Sequence, residues 1–151
     1  MIKEVKGNLL EADAEALVNA VNSVGVMGKG LALQFRRKFS EDYFLDYKRA
    51  CQTGRLRPGK VHVYILEAET GPRIIVNFPT KDHWREKSRL EHIESGLQNL
   101  IEKIKKHRIE TIAMPALGCG LGGLEWKDAR PLIEAAFTKL PDVEVFLYAP
   151  S

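Results

Sequence analysis

The sequence predicts an α/β fold, a three-layer α/β/α sandwich around a central mixed sheet, and three observations carry that prediction. Apolar runs of strand length alternate along the chain with segments of helical periodicity. The runs Ala16-Leu17-Val18-Asn19-Ala20-Val21 and Arg73-Ile74-Ile75-Val76-Asn77-Phe78 are apolar at nearly every position, so such strands need cover on both faces. Glycine-rich segments follow Val21 and Met114, at the strand ends beyond which open α/β sheets bind ligands.

Taken in order, Ile2 and Val5 mark a first strand, and Gly7-Asn8 with an acidic turn through Glu11, Asp13 and Glu15 separates it from the second, residues 16–21. The loop Asn22-Ser23-Val24-Gly25-Val26-Met27-Gly28-Lys29-Gly30 leads into a basic helix with Leu31, Leu33, Phe35 and Phe39 on its apolar face. A second helix starts at Ser40, an N-cap hydroxyl, and stops at Gly54. Val61, Val63 and Ile65 alternate as a strand, and residues 73–78 form another, ended by Pro79. Ser88 and Glu91 have the spacing of a capping box before the long amphipathic helix of Leu90, Ile93, Leu97, Leu100, Ile101 and Ile104. Residues 111–114 are the next strand, 126–140 a last helix that tolerates Pro131 in its first turns, and 143–148 a last strand.

The 151 residues fit one domain, 1–151, large enough to bury a core without disulfides or metal. A 44% apolar and 28% charged composition is that of a soluble globular protein, and no apolar run approaches the ~20 residues that span a bilayer. The first residues lack the order of a secretory signal, and two cysteines, Cys51 and Cys119, suit the cytoplasm. Four scattered histidines and two thiols match no zinc spacing, so neither a metal nor a cofactor is expected. A net charge of +3 permits a polyanionic partner without requiring one. A monomer is expected.

Gly118-Cys119-Gly120-Leu121-Gly122-Gly123 matches the dinucleotide fingerprint literally, but too little chain follows for the rest of a nicotinamide-binding domain. Gly28-Lys29 resembles a P-loop without its leading glycine and its Ser/Thr, which argues against nucleotide triphosphate hydrolysis. Two glycine loops beyond separate strands either clamp a diphosphate with backbone N–H groups or are unrelated tight turns. Trp84 beside Arg85 pairs a stacking face with a cation, as single-stranded nucleic acid requires, or covers a sheet edge. Cys119 has no evident base beside it and is expected to be a small buried residue rather than a nucleophile.

The order Gly7-Asn8, Asn19-Ala20-Val21-Asn22, Gly25-Val26-Met27-Gly28-Lys29-Gly30 and Pro115-Ala116-Leu117-Gly118-Cys119-Gly120 resembles a macrodomain over essentially the whole chain. Asn77-Phe78-Pro79-Thr80-Lys81-Asp82-His83-Trp84-Arg85 and Gly120-Leu121-Gly122-Gly123-Leu124-Glu125-Trp126 resemble the DarG antitoxin branch, DNA ADP-ribosyl glycohydrolases that reverse a DarT-type toxin. The resemblance implies ADP-ribose as ligand and ADP-ribosylated single-stranded DNA as substrate. It places diphosphate and distal ribose against Gly25, Val26, Met27, Gly28 and Gly30 and against Pro115, Leu117, Gly118, Cys119, Gly120, Leu121 and Gly122. Asn8 stands where most macrodomains have an adenine-binding aspartate, leaving selectivity to its amide or to the Leu9 backbone. Gly122 stands where a related branch has a catalytic aspartate, so chemistry falls to Lys81, as nucleophile toward the anomeric carbon or as a cation stabilising the departing base. Asn22 positions the ribose or closes its loop through an Asx turn, and His83 is a candidate proton donor. A non-catalytic ADP-ribose reader and a hydrolase of ADP-ribose esters on protein carboxylates are the alternative functions.

Overall fold

The computed structural model describes residues 1–150. Six strands form one sheet: β1 (Ile2–Val5), β2 (Ala16–Val21), β3 (His62–Ile65), β4 (Ile74–Pro79), β5 (Thr111–Met114) and β6 (Glu144–Tyr148), in the order β1-β6-β5-β2-β4-β3. All neighbours run parallel except β3, which lies antiparallel to β4 at one edge with His62 opposite Asn77 and Ile65 opposite Ile74. Parallel strands must be joined by crossovers: α3 joins β4 to β5 and α4 joins β5 to β6, a 3-10 turn lies between β1 and β2, and α1 and α2 lead from β2 to the antiparallel β3.

Helices α1 (Gly30–Lys38) and α2 (Glu41–Gln52) cover one face, where Leu17, Val21, Ile75 and Ala113 meet Phe35, Tyr43, Phe44 and Tyr47. On the other face α3 (Leu90–His107) and α4 (Trp126–Phe137) seal Val18, Val76, Phe78 and Val145 under Ile93, Leu97, Leu100, Ile133 and Phe137. The predicted three layers and mixed sheet are therefore present. Gly96 sets the approach of α3 to the sheet, since a Cβ there would stand 2.4 Å from the Phe78 ring. Any side chain would force the helix outward.

Ser40 caps α2 as expected, accepting from the Tyr43 N–H at 3.2 Å. The capping box expected at Ser88 is absent. Helix α3 starts one residue later with Arg89 as cap, and the Ser88 hydroxyl is buried against Gly122 without a hydrogen-bond partner, while its N–H donates to the Gly122 carbonyl at 2.9 Å. Tertiary docking of the 118–123 loop has taken over the residue that the local pattern reserved for the helix. A short 3-10 turn at Leu9–Glu11, with Asn8 as its cap, occupies the expected acidic turn, and α4 ends at Phe137 instead of Leu140.

Polar side chains cross the buried sheet in a chain of hydrogen bonds. Asn19 Nδ2 donates to the Tyr43 hydroxyl at 3.0 Å, and that hydroxyl donates to Asn77 Oδ1 at 2.6 Å. Asn77 Nδ2 lies 3.0 Å from His62 Nδ1, and His62 Nε2 lies 2.8 Å from Asp46 Oδ2. With Asn77 donating, Nδ1 must accept and the proton sits on Nε2, so the imidazole is held neutral. Burial pushes the His62 pKa below its ordinary 6.5, outweighing the Asp46 carboxylate that favours the charged form. Because the folded value is the lower one, the unfolded chain takes up the extra proton first. Stability from this site is complete above 6.5 and is lost as pH falls through that value. Urea midpoints are expected to drop between about pH 7.5 and about pH 5.5, and His62→Gln to reduce that drop; an unchanged slope in the variant counts against the network.

Candidate functional site

A cleft of about 830 Å3 opens where β1, β6, β5, β2 and β4 end. With neighbouring strands ~4.8 Å apart, the line of ends from β1 to β4 extends roughly 19 Å, long enough for an elongated ligand. At the β1 and β6 end stand Gly7, Asn8, Leu9 and Tyr148; at the β4 end stand Thr80, Lys81 and Trp84; the two glycine loops face each other between them.

The first glycine loop is shaped by Asn22. Its Oδ1 accepts from the N–H groups of Val24 and Val26 at 3.2 and 3.3 Å, and its Nδ2 donates to the Val26 carbonyl at 2.7 Å. The Tyr47 hydroxyl, fully buried in α2, lies 2.8 Å from the Asn22 carbonyl and 2.9 Å from its Oδ1. Burial raises the Tyr47 pKa far above the ordinary tyrosine value, so that hydroxyl remains a donor. The loop delivers the chain into α1, whose cap Lys29 makes no side-chain bond. The first N–H groups of α1, at Gly30, Leu31 and Ala32, therefore have no helical partner where they line the cleft. That helix end favours an anion.

The second loop bends at Gly118, whose φ of +75° suits glycine and where a Cβ would fall 2.5 Å from Leu124 Cδ1. Leu124 N–H donates to the Gly118 carbonyl at 2.9 Å, folding the segment back on itself. A 3-10 turn at Gly120–Gly122 follows, and its N–H groups again lack partners within the turn. Gly118, Cys119, Leu121 and Gly122 reach the cleft, with Leu121 largely exposed opposite Gly30.

Asn8, Leu9, Asn22, Val26, Gly28, Gly30, Lys81, Trp84 and Pro115 also line it, so both loops and the β4 tail converge as the sequence suggests. Other candidates do not reach it. Met27 and Leu117 are fully buried core residues beneath their loops, Gly25 packs against Lys48, and Gly120 turns outward at the start of its 3-10 turn. His83 lies outside the lining, stacked on Trp84 at 5.3 Å with its Nδ1 accepting from the Arg85 N–H. Arg85 reaches over the Trp84 ring at 4.6 Å and also stays outside the lining. Cys119, expected to be buried, is half-buried at the rim, and burial raises its thiol pKa.

Lys81 is half-buried and makes no hydrogen bond or ion pair among the described residues. Asn8 spends one lone pair of its amide oxygen on the Leu10 N–H at 3.0 Å. Residues that motif reading overlooks include Tyr148, the last residue of β6, and Gln34, one turn into α1. The signal for Tyr148 was its place at a parallel strand end; for Gln34 it was the four-residue spacing from Gly30.

The Macro domain family model matches residues 18–133. The chain is 49% identical to the DNA ADP-ribosyl glycohydrolase of Thermus aquaticus over 99% of its length and to that of Mycobacterium tuberculosis over 100%. It spans only about two fifths of those relatives, 41% and 43% of their lengths. The macrodomain of Mycobacterium tuberculosis DarG superposes with a TM-score of 0.97 at 48% identity, covering 100% of this chain and 99% of that one. Thermosipho africanus DarTG in complex with ADP-ribose matches at a TM-score of 0.91 and 38% identity, covering 99% of this chain and 41% of that one.

Removing the Tyr47 hydroxyl leaves the Asn22 oxygens short of a donor in a buried setting. Tyr47→Phe is expected to cost about 1–3 kcal/mol of stability and to speed hydrogen exchange at the Val26 amide more than at amides of β5. Uniform acceleration across the chain would mean that the bond supports the core without shaping the loop.

Proposed function

The chain belongs to the macrodomain family, and from that premise we propose that it binds ADP-ribose along the cleft and hydrolyses the bond between ADP-ribose and a thymine base of single-stranded DNA. The observation that carries the reading is the order of groups along the sheet edge. Adenine fits between Asn8, Leu9 and Tyr148, with the free lone pair of Asn8 Oδ1 open to the exocyclic amine and the Tyr148 ring beside it. The diphosphate then falls between the N-terminus of α1 and the 3-10 turn of the second loop, both rich in unpaired N–H groups. That leaves the distal ribose at the β4 end with Asn22, Lys81 and Trp84.

Lys81 is then the nucleophile. After loss of a proton to water its amine forms a C–N bond to the anomeric carbon as the base leaves with the bonding pair and takes up a proton; the ring opens to a Schiff base, and water releases ADP-ribose and restores the lysine. Asn22 is held by three backbone bonds and retains one Nδ2 hydrogen for a ribose hydroxyl, a positioning role that depends on geometry more than acidity. With His83 outside the lining, protonation of the departing base falls to water. Trp84, 41% exposed, with Arg85 over its ring, offers a neighbouring base a stacking platform. An acid at position 122, as in the related branch, would require the Ser88 side chain to move, because a Cβ there would stand 2.5 Å from its hydroxyl oxygen.

No helix among the described residues is long and apolar enough to cross a membrane. Two free thiols suit the cytoplasm, and the DarTG relative supports a DarT-type toxin as the opposing activity. Lys81→Ala is expected to lower release of ADP-ribose from a modified oligonucleotide by at least ~100-fold while calorimetry shows ADP-ribose binding retained. Wild-type turnover by that variant removes the lysine mechanism. Absence of turnover by the unmodified chain, with binding intact, makes the protein a reader. Ester-linked protein offered beside base-linked DNA decides the substrate class.

A further inference from the structure

Outside the cleft, a second groove of about 440 Å3 runs between the open edge of β3 and the outer side of α3. Arg55, Lys60, Lys103, Lys106 and His107 line it, with Asn99 in its floor, and no aspartate or glutamate does. None of the four Lys and Arg side chains is in an ion pair among the described residues. Two carboxylates stand behind the lining without entering it: Glu102 accepts from Asn99 Nδ2 at 3.4 Å, and Asp46 lies 2.8 Å from Nε2 of His62, itself a lining residue. The His107 pKa is lowered first by burial and then by Lys106, Lys103 and Arg73, which places several cations close together at this end of α3.

Topology ties this groove to the cleft. Strand β3 runs against its neighbours, so its first residue, His62, lies opposite Asn77 near the cleft end of β4, and Lys60 stands at the same sheet edge one strand outboard of Lys81. Helix α3 leaves the cleft rim at Leu90 and ends at His107, whose carbonyl accepts from Arg73 just before β4 begins. The cations thus form a track from the cleft rim to the opposite rim. From Asn99 to Lys106 it covers roughly 10 Å at 1.5 Å per helical residue.

We propose that this groove binds the phosphodiester backbone of the single strand flanking the modified base, carrying it away from the cleft along β3. The proposal rests on the DNA reading of the cleft and adds a second contact region, sequence-independent because it reads phosphate alone. A mildly basic chain, +3 overall, can hold DNA this way because four of its 23 Lys and Arg residues line this one groove with no carboxylate among them.

The test uses a Lys60→Gln/Lys103→Gln/Lys106→Gln variant, an unmodified thymidine-rich oligonucleotide of about 20 nucleotides, and two ADP-ribosylated substrates, a mononucleotide and the same long oligonucleotide. With about three phosphate contacts removed, affinity for the long strand by fluorescence anisotropy is expected to fall about tenfold at ~0.1 M salt, and the log–log salt slope by about 2. KM for the long substrate should rise, with kcat and KM on the mononucleotide unchanged. Wild-type affinity and slope in the variant overturn the proposal, as does an equal loss on both substrates, which would report damage to the cleft. If the unmodified chain releases ADP-ribose from neither substrate, the DNA reading fails, while the anisotropy result still decides the groove.

Discussion

Two tyrosines, one helical turn apart on α2, supply the constraint on which the site depends. Tyr43 inserts its hydroxyl between Asn19 and Asn77, joining β2 to β4 in the middle of the sheet, and Tyr47 places its hydroxyl on Asn22, where β2 becomes the first glycine loop. Both rings are fully buried, so each hydroxyl must find a partner or incur the full cost of desolvation. One helix therefore fixes the strand pair and the loop that grows from it. The N-terminus of α1, with its first N–H groups free of helical partners, is aimed by that loop.

The cleft is a consequence of the parallel strands. Because β1, β6, β5, β2 and β4 all end on the same side, four connections and the segment after β6 open along one line, and a long ligand can be read group by group from one strand to the next. Only β3 reverses, and that reversal gives the edge its second character. Its beginning lies at the cleft rim, and its open side lies against the cationic outer side of α3. An elongated cleft and a neighbouring basic track are the two products of a single topology.

Much of this was legible in the sequence because it rests on local chemistry. Apolar runs such as residues 73–78 can only be buried strands, and glycines after Val21 and Met114 announce loops beyond strand ends. Lys81 was found by its position after Pro79, and the structure places it in the cleft lining. What escaped was decided by packing. Ser88 and Glu91 have capping-box spacing, yet the Ser88 backbone is recruited by Gly122 and its hydroxyl is left unpaired. Met27 and Leu117 sit inside glycine-rich motifs but anchor their loops from below. His83 turns to Trp84, an aromatic contact with no periodicity to reveal it. The Tyr43–Asn77–His62 chain joins residues far apart in sequence, and the groove of Lys60 and Lys103 exists only once β3 lies beside α3.

In the proposed function ADP-ribose lies with adenine at the β1–β6 end and the anomeric carbon at the β4 end beside Lys81. A crystal structure of the chain with ADP-ribose tests it directly. The account requires the purine between Asn8 and Tyr148, phosphate oxygens on the N–H groups that begin α1, and the distal ribose within reach of Lys81 Nζ. A ligand bound in the reverse direction, or a distal ribose remote from Lys81, would contradict it.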